Sequence, residues 1–176
     1  MQRFGTDLRA EGENMVIVYV WAFRGKGDAW GHASALLDQT YISWWPETPG
    51  QVPSKLHPNI YQSHPFRNRG FDEDVRAEGQ QPDHVVHLKG LNESAIKDWW
   101  QGFGLTRDGT LYEGPLLAWD TLMCNCSNVV ATALKAGGGD RFASWHKSWN
   151  MVWKPSDVLD YALSIAKGLG QPRARL

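Results

Sequence analysis

The run Met15–Phe23 (MVIVYVWAF) sets the strongest constraint on what this chain can become. About nine aliphatic, β-branched and aromatic residues in succession specify a strand buried in a core. A membrane-spanning helix needs roughly 20 apolar residues, and no segment approaches that. Glu11 and Glu13 precede the run, Arg24 follows it, and no small-residue cleavage site is present. It is therefore read as a strand and not as a signal peptide. The corresponding expectation is a protein cytoplasmic in the producing cell, exported only by a machine that reads no cleavable signal.

Beyond this strand the segment FRGKGDAWG carries turn residues. His32–Leu37 (HASALL) and Tyr41–Trp45 (YISWW) are predicted as a second and third strand, joined through Asp38, Gln39 and Thr40. Short adjacent strands with tight connections make an antiparallel meander. His84–Lys89 is a predicted fourth strand. Asn92 is placed to cap a helix, with Leu91 and Ile96 as its hydrophobic staple, running to about Gln101. That helix turns Ile96, Trp99 and Trp100 inward. Asn125–Ala136 ends in Gly137, Gly138 and Gly139 and carries an apolar stripe of Val129, Val130, Ala133 and Leu134. Pro155–Lys167 has Pro in its first turn, Asp157 near its N-terminus and Gly168 after its end. The aromatic stretch between those two helices, RFASWHKSWNMVW, has no clear period. The class is α+β. A chain of 176 residues fits one domain, here 15–170, with a loose lead over 1–14 and a tail over 171–176.

One segment breaks the pattern. Residues 46–83 hold Pro46, Pro49, Pro53, Pro58, Pro65 and Pro82 around the charged stretch FRNRGFDEDVRAEGQ. A connection this long is usually a lid, a binding loop or an insertion. Asp72, Glu73 and Asp74 inside it are read as a solvated charge run.

Charge and composition narrow the function. The net charge of −1 argues against a nucleic-acid binder relying on a basic field. The 10 Trp residues must pack an aromatic-rich core or line an aromatic groove. Trp30, Trp44, Trp45 and Trp119 fall near the segments that carry the candidate chemistry and are the candidate walls of a substrate cleft; sealing the core around the sheet is the other role open to them. Cys124 and Cys126 are the two cysteines, and one intervening residue makes them a poor disulfide.

Cys126 is the candidate nucleophile. It continues the inward stripe of the 125–136 helix, three and four residues before Val129 and Val130. In the first turn, free N–H groups and the helix dipole favour a thiolate. The same groups, at Cys126 and Ser127, are placed to donate to an oxyanion. Simple packing is the alternative role for a Cys in that position. A thiol nucleophile needs a base, and His32, after Gly31 at the start of a core strand, is the candidate, with His146 its main rival. His57 and His64 lie in the Pro-rich segment, and His84 and His87 face opposite sides of a strand. A two- or four-residue turn between the second and third strands puts Tyr41, Ser43 and Trp45 on the face of His32, which makes Ser43 the candidate third member. A three-residue turn presents Trp44 instead. Zinc on Cys124, Cys126 and two His is the competing chemistry, but thiols at i and i+2 suit a turn more than a helix start, and no second close pair has finger-like spacing. No metal and no cofactor is expected.

These motifs, GHASALL, YISWWP and NCSNVVATAL in that order, resemble the circularly permuted papain-like fold of the NlpC-type superfamily, which includes lecithin retinol acyltransferase-like enzymes and Rho-inactivation domains of bacterial toxins. The similarity is strongest to toxin and effector members. It implies an antiparallel sheet packed against a nucleophile-bearing helix, with Cys126 as nucleophile and His32 as general base and acid. Ser43 stands where that group often has a second His or another polar residue. The implied function is cysteine-dependent acyl processing, of protease or amidase type, through a thioacyl intermediate. Its alternatives are a lysine or lipid acyltransferase on the same dyad and a non-catalytic module that keeps the fold. The implied substrates are a peptide, a peptidoglycan peptide or an acylated protein or lipid, and a bacterial toxin would bring a cognate immunity protein as partner.

Overall fold

The structure is a computed structural model that describes residues 15–25, 30–45, 61–62, 70–103, 118–119 and 124–171. The lead 1–14, the rest of the 46–69 stretch with His57 and His64, and the tail beyond Gln171 lie outside the described residues. The chain runs β1 (Met15–Trp21), β2 (His32–Leu37), β3 (Thr40–Ile42), β4 (Tyr61–Gln62), α1 (Phe71–Glu78), β5 (His84–Lys89), α2 (Glu93–Gly102), β6 (Ala118–Trp119), α3 (Cys126–Ala136) and α4 (Pro155–Gly168). Four strands form one antiparallel sheet in the order β3-β2-β1-β5, and β4 pairs with β6 separately. The architecture is α+β.

The turn between β2 and β3 decides which side chains share a face. Leu37 pairs with Thr40, leaving two residues in the turn, and Asp38 takes a φ of 52°. A two-residue hairpin of this kind matches the twist of the sheet. The register therefore sends Ala33, Ala35, Leu37, Ile42 and Trp44 to one face, and His32, Ser34, Tyr41, Ser43 and Trp45 to the other.

The first face is the core. Val16, Val18 and Val20 of β1 stand beside Ala33, Ala35 and Leu37 of β2 and Val86 and Leu88 of β5, all buried. α3 and α4 cover this face, with Val129, Val130, Ala133 and Leu134 from one helix and Val158, Tyr161, Ala162 and Ile165 from the other. α2 packs beside α3, capped by the Asn92 side chain on the Ala95 N–H and burying Ile96 and Trp100. Ser43–Trp45 extends β3's course without ladder pairing, so the third strand is shorter than its sequence suggests. The aromatic stretch after α3 holds two single turns of 3₁₀ helix, Gly139–Arg141 and Trp145–Lys147.

The second face is covered by α1, a regular helix inside the 46–83 segment that the sequence marks as a lid, a binding loop or an insertion. Gly70 and Gly79 bound it, with Glu73 accepting from the Gly70 N–H and Gly79 in the left-handed region at φ 72°. Phe71 lies on the Tyr19 ring at 4.7 Å between centroids. The far end is tied to β1: the Trp21 indole donates to Gln80 O, Arg24 to Glu78 O, and the Asp83 carboxylate accepts from the Ala22 N–H. Among the described residues no helix is long and apolar enough to cross a membrane.

Candidate active site

Gly31 makes the approach to the site possible. It has φ +77°, and a Cβ there would meet Trp21 O at 2.5 Å, so only glycine lets the chain enter β2 against β1 at this point. The next residue, His32, is paired with Trp21 and is fully buried, its ring 4.6 Å from that of Trp45.

His32 Nε2 lies 3.0 Å from Asp74 Oδ2 and 3.1 Å from Ser43 Oγ. Asp74, on the inward side of α1, is fully buried too. Its carboxylate also accepts from Tyr41 Oη at 2.7 Å, Ser43 Oγ at 2.8 Å and Trp45 Nε1 at 2.6 Å. Four donors around one carboxylate replace the water it has lost and hold its charge in the interior. The three acids at 72–74 are thus not one solvated run: Asp72 and Glu73 are exposed, while Asp74 is the centre of the network. Phe71, Asp74, Val75 and Glu78 follow helical spacing, and that stripe is what turns Asp74 to the sheet.

Cys126 opens α3 behind the cap Asn125, whose side chain accepts from the Asn128 N–H and donates to Trp153 O. It is 4% exposed, and Ser127 beside it is 1% exposed. First-turn N–H groups have no acceptor within their own helix. α3 packs on β2, and Cys126 lies within electrostatic reach of His32. Burial lowers the pKa of His32, but the Asp74 carboxylate and then Cys126 act against it by charge and hydrogen bonding, and the balance lies well up, at about 9. Among the described residues, His32 Nδ1 has no partner at ordinary hydrogen-bond geometry. Tyr41 is held neutral: burial and then Asp74 push its pKa up.

The other sequence candidates separate. Trp45 is a wall of the His32–Asp74 network and is 5% exposed. Trp44 is fully buried on the core face against Phe103, because the hairpin register points it there. Trp30 is half-exposed beside Phe23. Trp119 lies in β6 opposite Tyr61, with its side chain outside the described residues. His146 is exposed on a 3₁₀ turn. No group of three or more His, Cys, Asp or Glu among the described residues is arranged to hold a metal ion.

The model of one protein family, described as IcsB middle domain, matches residues 55–174. The matched stretch contains Asp74 and Cys126, and His32 and Ser43 lie upstream of it. Neither a curated protein nor a solved structure matches the chain.

Proposed function

The chain belongs to the IcsB middle domain family, a bacterial effector domain, and from that premise we propose a cysteine-dependent acyl-processing enzyme. The observation that carries the proposal is the His32 ring, buried with a carboxylate on Nε2 and coupled to Cys126. Asp74 is the third member, a stronger partner for an imidazolium than the Ser43 hydroxyl. Ser43, Tyr41 and Trp45 position Asp74.

With Asp74 accepting at Nε2, the ring presents Nδ1 to the thiol. His32 takes the Cys126 proton there, and the thiolate attacks the carbonyl carbon of the substrate. The first-turn N–H groups at Cys126 and Ser127 receive the oxyanion. When the tetrahedral adduct collapses, the His32 proton passes to the leaving group and a thioester remains on Cys126. Water completes a protease or amidase cycle. Transfer to a lysine amine or a lipid is the second reading, favoured by the burial of both Cys126 and His32, which disfavours water as acceptor. The arrangement fits a permuted papain-like site, and the effector class fits export without a cleavable signal.

Alkylation tests the site before any substrate is known. Iodoacetamide at near-neutral pH should label Cys126 well before Cys124, and His32→Ala should abolish the difference. Equal, slow labelling of both thiols would leave a non-catalytic module as the better reading. Expression of wild type and Cys126→Ala in bacterial cytoplasm, bacterial periplasm and eukaryotic cytosol then assigns the target compartment: toxicity should follow the intact thiol in one of them.

A further inference from the structure

The helix that carries Cys126 starts differently from the others. α1, α2 and α4 place acids in the first turn: Asp72, Glu73 and Asp74, then Glu93, then Asp157. Two of these reach back to the residue that caps the helix, Glu73 accepting from the Gly70 N–H and Asp157 from the Lys154 N–H. The helix dipole stabilises an acid in that position. α3 has none in its first turn. Its capping box is Asn on Asn: Asn125 Oδ1 accepts from the Asn128 N–H at 3.0 Å, and Asn128 Oδ1 accepts from the Asn125 N–H at 3.3 Å. Capping alone selects asparagine at neither place. Asp and Ser cap as well as Asn at the first, and Glu or Gln is usual at the second.

The two asparagines cap without charge, and they flank Cys126 in the chain. Asn125 is buried and also donates to Trp153 O, which a carboxylate cannot do. Trp153 is a firm anchor, buried with its ring against Tyr161. From β2, the ring of His32 is coupled to Cys126, and among the described residues its buried Nδ1 has no partner. A carboxylate within about 6 Å disfavours the thiolate formed when that nitrogen takes the proton. It also competes for the first-turn N–H groups placed to receive an oxyanion. Charged groups on the other elements packed on α3 include Glu93 in the first turn of α2, Lys97 paired with Asp38, Asp140 accepting from Tyr161, and Asp160 paired with Lys147. We infer that the neutral Asn125–Asn128 box is a positioning device for the nucleophile, fixing the start of α3 while leaving its dipole and first-turn donors to the thiolate and the oxyanion. The inference rests on the proposed role of Cys126.

The pair Asn128→Glu and Asn128→Gln tests it in the full chain, because both side chains close a capping box and they differ in charge alone. The melting temperature of the Glu variant should equal or exceed that of the Gln variant. The pH midpoint of Cys126 alkylation should nevertheless rise with Glu by about half a unit, slowing labelling at neutral pH about threefold, and stay at the wild-type value with Gln. Asn125→Asp adds the charge at the buried position and removes the donor to Trp153, so its midpoint should rise by about one unit. A merely structural role moves the melting temperature and leaves the pH profile in place. Coincident profiles for the Glu and Gln variants overturn the inference while Cys126 keeps its proposed role. Equal, slow labelling of Cys126 and Cys124 in the wild-type chain overturns both.

Discussion

The two faces of the β3-β2-β1-β5 sheet are built from the same strands and have opposite chemistry. One carries Val16, Val18, Val20, Ala35 and Leu37 into an apolar core beneath α3 and α4. The other carries His32, Ser34, Tyr41 and Ser43 beneath one eight-residue helix, α1, and is joined by hydrogen bonds converging on Asp74. Burial of apolar area stabilises the first face without geometric demands. The second holds a charge out of water, an arrangement that apolar packing often matches or betters for stability. Such a network depends on every partner being in place, whereas apolar packing does not, so the two faces should respond differently to substitution.

The largest response is expected at Asp74→Asn. The amide keeps the shape but offers one acceptor oxygen where the carboxylate offered two, so the donors of Tyr41, Ser43, Trp45 and His32 cannot all be met. Breaking a buried charged network costs about 3–5 kcal/mol, read as a drop in denaturation midpoint. Without the carboxylate His32 loses its main support as a cation. An ordinary thiol is only a few per cent thiolate at pH 7, so Cys126 labelling should slow by about 30-fold. Unchanged labelling would remove Asp74 from the proposed triad.

Leu134→Ala probes the opposite face. Leu134 is fully buried in the core of α3, and its truncation should cost about 2–5 kcal/mol. Labelling of Cys126 under native conditions should remain near wild type, because the His32–Asp74 network on the opposite face is untouched. A variant that loses stability and labelling together would show that the faces are coupled through α3, whose first residue is Cys126.

The difference between the faces also explains what the sequence disclosed. Alternating or continuous apolar runs and helix caps are local signals, so β1, β2, β5, α2, α3 and α4 were legible from residues such as Val16, Asn92, Asn125 and Gly137. Gly31-His32 and Asn125-Cys126 were legible as well, because a strained glycine and a helix start have short-range signatures. α1 was obscured by the prolines around it, although Gly70 and Gly79 bracket it and Phe71, Asp74 and Val75 follow helical spacing. Asp74 looked solvated beside Asp72 and Glu73 because its burial comes from the docking of α1 on Tyr19, Trp21 and Tyr41, contacts across up to 52 positions of chain (71 − 19) that no local pattern encodes. Trp44 and Trp45, adjacent in sequence, part to opposite faces on the length of one turn.

A pH series sharpens the contrast further. His32 has a folded-state pKa of about 9, above its ordinary value of 6.5. Between these values the folded chain binds more proton at His32 than the unfolded chain. The stabilisation is fully present below about 6.5 and is lost as pH rises through about 9. Denaturation midpoints should fall over that window, and His32→Gln should flatten this slope. Leu134→Ala should keep it, since no titrating group is involved.

The smallest effect is expected at Ser43→Ala, and it separates the two candidates for third member. Ser43 Oγ lies 3.1 Å from His32 Nε2, as close as a serine-supported imidazole requires, but it also donates to Asp74 at 2.8 Å. If Ser43 only positions Asp74, its removal leaves three donors on the carboxylate, costs about 1–2 kcal/mol and slows Cys126 labelling by about tenfold or less. The raised pKa of His32 should persist, because charge and not the hydroxyl sustains it. If instead Ser43 orients the ring itself, Ser43→Ala should match Asp74→Asn in labelling while leaving the pH slope of stability in place. Measuring both variants by both readouts distinguishes the carboxylate as partner of the ring from the hydroxyl as partner of the carboxylate.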